Sequence, residues 1–503
     1  MTWLWRPNLI VFVSNSCIMI LELVAGRIIA PYVGVSLYTW TSIIGVVLAG
    51  ISLGNYLGGR LADRRASLRL LGGIFLLGGL SSFGILAVDR LGRITGGGLP
   101  LVDEILIMTA ALFFLPCVIL GTISPVVAKL AVRDLNRTGS TVGKIYAAGT
   151  VGSIVGTFAT GFFLISWFGT HTIVWGVALV LILLGTVLLV GGRWQLMLVP
   201  VLAVTGSSVL ARDQGWLSGP CTRETNYFCI RVREEERGGD LVRVLTLDRL
   251  VHSYTSVDDP TKLVYGYEQI YAELTLYQAR HDPHLRALFI GGGGYTFPRY
   301  MEALYPESEI DVIEIDPGVT EVAHDLLGLD RDTRIATFNE DARLFLEREP
   351  TRPYGLIIGD AFNDFSVPYH LTTREFNERV RAWLADDGLY LVNVIDGPRG
   401  DFLRAYTHTL RQTFPHVYLV PTIEPWRESP RSTFVLVAGM EPLDHQALKA
   451  LSPAAGDSLL ARQMLDQAAV DALLAEGEVV MLTDRYAPVD QMLAPVFREE
   501  GPR

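Results

Sequence analysis

The chain has 503 residues, a formal net charge of −11, a hydrophobic share of 50% and a mean hydropathy of +0.33. That length exceeds one ordinary domain, and the acidic balance argues against a nucleic-acid partner, whose phosphates call for clustered Lys and Arg. No CxxC pair or His/Cys cluster offers a metal site.

Apolar residues crowd between Leu9 and about Leu210, and charges recur every few residues from Arg212 onward, so a boundary is expected near 212. Roughly 20 apolar residues cross a bilayer as a helix. Seven stretches qualify: about 8–30, 38–58, 68–88, 104–130, 144–166, 170–190 and 195–211, the last being short and carrying Pro200. The first run is too long for a signal-peptide core and reads as a retained span. Arg60, Arg64, Arg65 and Arg69 fill the loop after span two, and Lys129, Arg133, Arg137 and Lys144 the loop after span four. Positive loops stay in the cytoplasm, so the N-terminus is expected inside. Seven spans place the C-terminal half outside the cytoplasm and six leave it inside; the reading favours seven, in the cell (inner) membrane.

Small residues recur every four positions in span two (Gly50, Gly54, Gly58) and span five (Ala148, Gly152, Gly156, Thr160). Such stripes let helix backbones approach closely, and both sit second in a triplet, which hints at a three-plus-three repeat. The segment Gly59–Arg65 resembles the loop between spans two and three of major facilitator transporters, or is a helix end with basic anchors. Glu22 and Arg27 lie within span one, where a charge costs about 2.5–3.5 kcal/mol; mutual pairing and a polar path are both open. Cys221 and Cys229 either close a small disulfide loop, which suits an oxidising compartment, or are unrelated thiols with Cys229 in a strand.

After residue 212 the period changes. Asn226–Glu235 and Leu241–Tyr254 alternate about Gly238-Gly239, a hairpin. Strands are expected at Ala287–Ile290, Ile310–Ile315, Arg334–Phe338, Tyr354–Ile358, Gly388–Val394, His416–Val420 and Thr433–Val437, with helices such as Arg299–Leu304, Pro317–Leu326, Asp341–Glu349 and Thr373–Ala385 between them. This alternation predicts a doubly wound parallel sheet with ligands at the carboxyl ends of its strands. The expected organisation is a transmembrane helical domain (1–211), a small β subdomain with a connecting helix (212–280), an α/β domain (281–445) and a C-terminal helical extension (446–503).

The chemistry falls at those strand ends. Gly291-Gly-Gly-Gly294 follows the first strand and permits close backbone approach to a ligand. Glu314 and Asp316 end the second, where an acid commonly binds a ribose diol. Asp341 follows the third, and Asp360 ends the fourth with Asn363 and Asp364 beyond. Each Asp alone reads first as a helix cap; four strand ends in succession, each with a glycine run or an acid, read as a nucleoside-binding rim.

The runs Ala287-Leu-Phe-Ile-Gly-Gly-Gly-Gly294, Val312-Ile-Glu-Ile-Asp-Pro317, Glu340-Asp-Ala342 and Ile358-Gly-Asp-Ala361 resemble the successive motifs of spermidine synthases, the polyamine aminopropyltransferases, across about residues 225–440. The resemblance implies a small β-domain before a methyltransferase-like, Rossmann-like sheet. It also implies transfer of an aminopropyl group from decarboxylated S-adenosylmethionine, a co-substrate rather than a tightly bound cofactor, to putrescine or a related amine. By position it implies donor contacts from Gly291, Gly292, Gly293, Glu314 (ribose), Asp341 (adenine) and Ala342, with Asp360 as the catalytic acid. Leu247–His252 resembles the second hairpin strand, and Tyr265-Gly-Tyr-Glu268 the tyrosine segment over the acceptor, with Tyr265 or Tyr267 as the matching residue. His252, Glu268, Asp364 and Tyr369 complete the substrate side. The implied partners are a polyamine, the adenosyl donor and the bilayer, with homodimer formation open. One departure stands out: the family runs Gly-Gly-Gly-Asp-Gly, its Asp holds the donor's amino group, and here that position is Gly294. A methyltransferase on the same fold, and a polyamine transporter or sensor with a non-catalytic domain, are the alternatives.

Overall fold

The structure, a computed structural model, describes residues 7–88, 100–190, 219–361, 367–451, 458–477 and 479–498, together with Gly206, Asp213, Gly215 and Leu217. The chain divides into two compact units, Met1–Cys229 and Ile230–Glu500.

The first unit contains six helices long and apolar enough to cross a membrane: α1 (Pro7–Val33), α2 (Leu37–Arg65), α3 (Leu68–Ala87), α4 (Leu101–Ala131), α5 (Leu135–Trp167) and α6 (Thr170–Val190). The expected seventh span, 195–211, lies outside the described residues except for Gly206. Glycines set the packing. A Cβ on Gly54 would lie 2.3 Å from the Val118 carbonyl oxygen and one on Gly58 2.6 Å from Thr122 Cα, so α2 lies directly on α4. A Cβ on Gly152 would lie 2.3 Å from the Phe12 carbonyl oxygen and one on Gly156 2.6 Å from that of Ser16, so α5 lies on α1 in the same manner. Between α3 and α6 the contact is reciprocal: Gly72 faces the Gly185 carbonyl at 2.8 Å and Gly185 faces that of Gly72 at 2.7 Å. The charges in α1 do not pair with each other. Arg27 donates to the carbonyls of Thr225 and Asn226, and Glu22 forms no ion pair among the described residues. Cys221 and Cys229 form a disulfide.

The second unit begins with an antiparallel meander of β2 (Cys229–Arg237), β3 (Asp240–Leu247) and β4 (Leu250–Thr255), preceded by the two-residue β1 (Arg223–Glu224). Gly238 and Gly239 take φ of 60° and 86°, the positive values a two-residue hairpin turn of type I′ demands. The expected continuous strand Leu241–Tyr254 is two strands. Asp248, at φ 51°, reverses the chain so that Leu247 pairs with Leu250; a short polar side chain tolerates that left-handed position. Helix α7 (Gly266–His281) leads into the main sheet of β5 (Arg286–Ile290), β6 (Glu309–Ile313), β7 (Ala336–Phe338), β8 (Tyr354–Gly359), β9 (Leu384–Asp396), β10 (His416–Pro421) and β11 (Ser432–Gly439), ordered β10-β11-β9-β8-β5-β6-β7. Helices α8 (Thr296–Leu304), α9 (Pro317–Leu326), α10 (Ala342–Leu346), α11 (Arg374–Trp383) and α12 (Asp401–Arg411) connect the strands.

The arrangement is α/β and methyltransferase-like, but the sheet is mixed rather than wholly parallel. β11 runs antiparallel to both β9 and β10. Only residues 422–431 join β10 to β11, too few for the helical crossover that a parallel pair needs.

Candidate active site

Strand order reverses between β5 and β8, the two strands on either side of the chain's topological switch point. Doubly wound sheets bind ligands at the carboxyl ends there. The glycine run leaves β5 and Asp360 leaves β8, so both reach this crevice. Gly291 takes φ 103°, and a Cβ on it would lie 2.4 Å from the Asp360 carbonyl oxygen. Only glycine allows the two loops to touch.

Asp360 is half-buried, and its Oδ1 accepts from Asn393 Nδ2 at 2.8 Å. The Tyr267 hydroxyl, a second donor, lies beside the same carboxylate in one cavity. Burial pushes the Asp360 carboxyl above its ordinary range, while these two donors hold it back. Tyr267 and Glu268 open α7 and are buried. Burial, helped by the nearby Asp360 charge, pushes the Glu268 carboxyl up to about 8. His252 on β4 is held neutral, burial taking its imidazole down to about 4, and its Nε2 has no hydrogen-bond partner. His252, Tyr267, Glu268, Asp360 and the four glycines line one cavity. It therefore joins two carboxyls of raised pKa, a tyrosine hydroxyl and a neutral imidazole, a set suited to accepting a proton from an amine.

The adenosyl side is organised by Glu314. One oxygen accepts from the Gly292 and Gly293 amides at 2.8 and 3.3 Å, the other from the Asp316 amide at 2.9 Å. The buried carboxylate thus shapes the glycine loop and keeps lone-pair capacity for a hydroxyl donor. Burial raises its pKa, and the three amides oppose that rise. Asp316 caps α9 by accepting from the Gly318 amide at 2.8 Å. Asp341 caps α10, whose first residue is the buried Ala342, through the Arg343 and Leu344 amides, leaving Oδ2 facing His370 Nε2 at 3.4 Å.

Gly294 has no space for a side chain. Its Cβ would lie 2.0 Å from Ser253 Oγ, 2.7 Å from Ser253 Cβ and 2.8 Å from Thr255 Oγ1. Strand β4 fills the place where the resemblance expects a carboxylate. Tyr295, next in sequence, is fully buried at φ 53°. Its hydroxyl meets Thr320 and Thr337 at 3.0 and 3.2 Å, contacts that offset the roughly 1–2 kcal/mol of a left-handed residue.

Other expectations fall elsewhere. Of the tyrosine pair, Tyr267 reaches Asp360, whereas Tyr265 donates to the Val251 carbonyl at 3.3 Å and packs on Tyr254. Tyr369 is 55% exposed, because the 3-10 turn Tyr369–Leu371 directs its ring against His370 and away from the cavity. Asp364 lies outside the described residues. Sequence reasoning missed Asn393 and Ser253. An asparagine inside the apolar run Leu389–Val394 of β9 was the available signal for the first.

No family model matches the chain. It is 32% identical over 154 residues to a polyamine aminopropyltransferase of Vibrio vulnificus, covering 29% of this chain and 50% of that protein. It is 28% identical over 407 residues to polyamine aminopropyltransferase 2 of Streptomyces coelicolor, covering 76% of this chain and 72% of that one. A probable spermidine synthase of Corynebacterium glutamicum superposes on 51% of this chain and 93% of its own, with 21% identity and a TM-score of 0.45. The chain thus spans half the length of the first of these relatives and most of the second.

Proposed function

We propose that this spermidine synthase-like chain transfers an aminopropyl group from decarboxylated S-adenosylmethionine to putrescine or a related amine. The observation that carries the reading is the placement of Asp360 at the switch point, held by Asn393 against the glycine loop with Tyr267 in the same cavity. The amine nitrogen forms a bond to the donor carbon beside the sulfonium. The carbon–sulfur bond breaks, its electron pair stays on sulfur, and neutral 5′-methylthioadenosine leaves. Asp360, with its raised pKa, accepts the proton the amine gives up. The Gly292–Gly293 backbone and Glu314 hold the adenosyl group. Incubation of the purified chain with putrescine and the donor, followed by mass spectrometry, should yield spermidine and methylthioadenosine in equal amounts.

A second reading, methyl transfer from S-adenosylmethionine on the same fold, is favoured by one observation: Ser253 and Thr255 leave no room at residue 294 for a carboxylate to grip the donor's amino group. Calorimetry with the two donors separates the readings. Tighter binding of the decarboxylated form supports aminopropyl transfer.

We further propose that the catalytic unit works outside the cytoplasm. Arg27, near the C-terminal end of α1, donates to the Thr225 and Asn226 carbonyls. Glu224 accepts from the amide and hydroxyl of Thr170, at the N-terminal end of α6, at 2.7 and 2.8 Å. If α1 starts inside, both helix ends face outward, and the disulfide loop 221–229 lies with them. Val190 ends α6 at the opposite pole, about 30 Å away.

A further inference from the structure

The helix contacts in the first unit contain a repeat. Val118 and Thr122 of α4 cover Gly54 and Gly58 of α2 as Phe12 and Ser16 of α1 cover Gly152 and Gly156 of α5. The register therefore equates α1 with α4 and α2 with α5, and the reciprocal Gly72–Gly185 contact places α3 and α6 about the axis relating the halves. Both α1–α5 and α2–α4 pair in the same direction, since residue numbers rise together. α3 and α6 pair in opposite directions, because Gly72 meets Gly185 while Gly79 meets Ala178 and Ile182. Three helices per half, running alternately, make the halves inverted.

A cavity of about 620 Å³ lies among α1, α2, α4 and α5. Its lining includes Asn55 and its repeat mate Ser153, and Ile18 with its mate Ser124. Among the described residues Asn15, Asn55, Ser124 and Ser153 make no side-chain hydrogen bond, although each sits turns deep in a helix of membrane-spanning length. Polar groups at such depth are left without partners only where they face water or a ligand. Helix α4 loses a backbone hydrogen bond beside them, because Pro125 has no N–H to offer the Gly121 carbonyl, while Thr122 keeps helical φ and ψ. The interface of inverted repeats, near the middle of the membrane, is where carriers bind solute. Asp63 and Lys129, both lining the cavity, pair at 3.0 Å, so the site has no net charge. Lys129 and Thr138 mark an opening on the face of the positive loops.

We propose that the first unit is a carrier with alternating access, binding a small uncharged solute rich in hydrogen-bonding groups among Asn15, Asn55, Ser124 and Ser153. The proposal rests on α1–α6 being membrane spans, which resistance of the reconstituted chain to alkaline extraction tests separately. The full chain carrying Cys17→Ala and Cys117→Ala would be reconstituted in liposomes with Asn55→Cys, Ser153→Cys or Thr138→Cys added singly, then treated with a membrane-impermeant maleimide from either face. Asn55→Cys and Ser153→Cys should react from both faces and Thr138→Cys from the Lys129 face alone. Reaction of all three from one face only would leave a static vestibule, and reaction of all three from both faces an open channel; either overturns the carrier. Saturating 5′-methylthioadenosine, an uncharged probe, should slow Asn55→Cys alkylation about tenfold or more, while putrescine and adenosine monophosphate should not. Slowing by a charged probe alone, or by none, overturns the assignment of the solute.

Discussion

Gly294→Asp restores the carboxylate that spermidine synthases carry, and the structure gives reason to expect damage. The backbone at 294 is in an ordinary region, so the cost is steric: the new Cβ meets Ser253 Oγ at 2.0 Å and Ser253 Cβ at 2.7 Å. Real Cβ contacts do not come so close, and strand β4 would have to move. Overpacking of this kind costs about 1–3 kcal/mol. For a unit of this size that corresponds to a fall in Tm of about 2–10 °C, readable by thermal unfolding of the purified chain. Adding Ser253→Gly removes the two nearest contacts, and the next, Thr255 Oγ1 at 2.8 Å, is the end of a side chain. The double variant should regain most of the lost Tm. It should also bind the decarboxylated donor about tenfold or more tightly than wild type, from one charge-assisted hydrogen bond worth about 1.5–3 kcal/mol. A single variant with wild-type Tm and improved donor binding would refute the steric account of this position.

Asp360→Asn should lower turnover roughly 100-fold while donor affinity survives, because the proton acceptor is lost and the glycine loop is not; wild-type turnover would remove Asp360 from the mechanism. Glu314→Gln places an NH₂ group against amide donors that the carboxylate now satisfies, and should weaken 5′-methylthioadenosine binding by about 1.5–3 kcal/mol in calorimetry. Glu268 is raised from 4.5 to about 8 by burial and by Asp360, so its contribution to stability is full below pH 4.5 and is lost as pH rises through 8. Glu268→Gln should therefore flatten the fall in Tm between pH 6 and pH 9, and an unchanged slope there would contradict the burial argument. On intact cells, a membrane-impermeant thiol reagent applied after mild reduction should label Cys221; protection until the membrane is permeabilised would place residues 221–229 in the cytoplasm.

Period and punctuation made the main sheet legible. Each expected strand of the main sheet exists, because strands buried on both faces read as unbroken apolar runs. The direction of β11 was not legible, since it depends on the short 422–431 connection rather than on the strand's own residues. The turn at Asp248-Arg249 was hidden because apolar residues continue on both sides of it. At the site, Asp360, Glu314 and the glycines announced themselves by lying just after apolar runs. Asn393 and Ser253 did not: one is a polar residue inside a strand, the other belongs to a distant sheet, and only tertiary packing brings them to Asp360 and Gly294. The four-residue glycine stripes were visible, yet the partner of each stripe was not, because spacing marks a face without saying what covers it.

The reciprocal meeting of Gly72 and Gly185 has the form of an isologous contact, the self-complementary patch of a two-fold dimer, realised here within one polypeptide. Each glycine is the other's environment. A methyl group added to either is opposed by the mate's carbonyl, at 2.8 Å for Gly72 and 2.7 Å for Gly185. The first unit is in this sense a tethered pair of three-helix halves that meet like with like at Gly72 and Gly185.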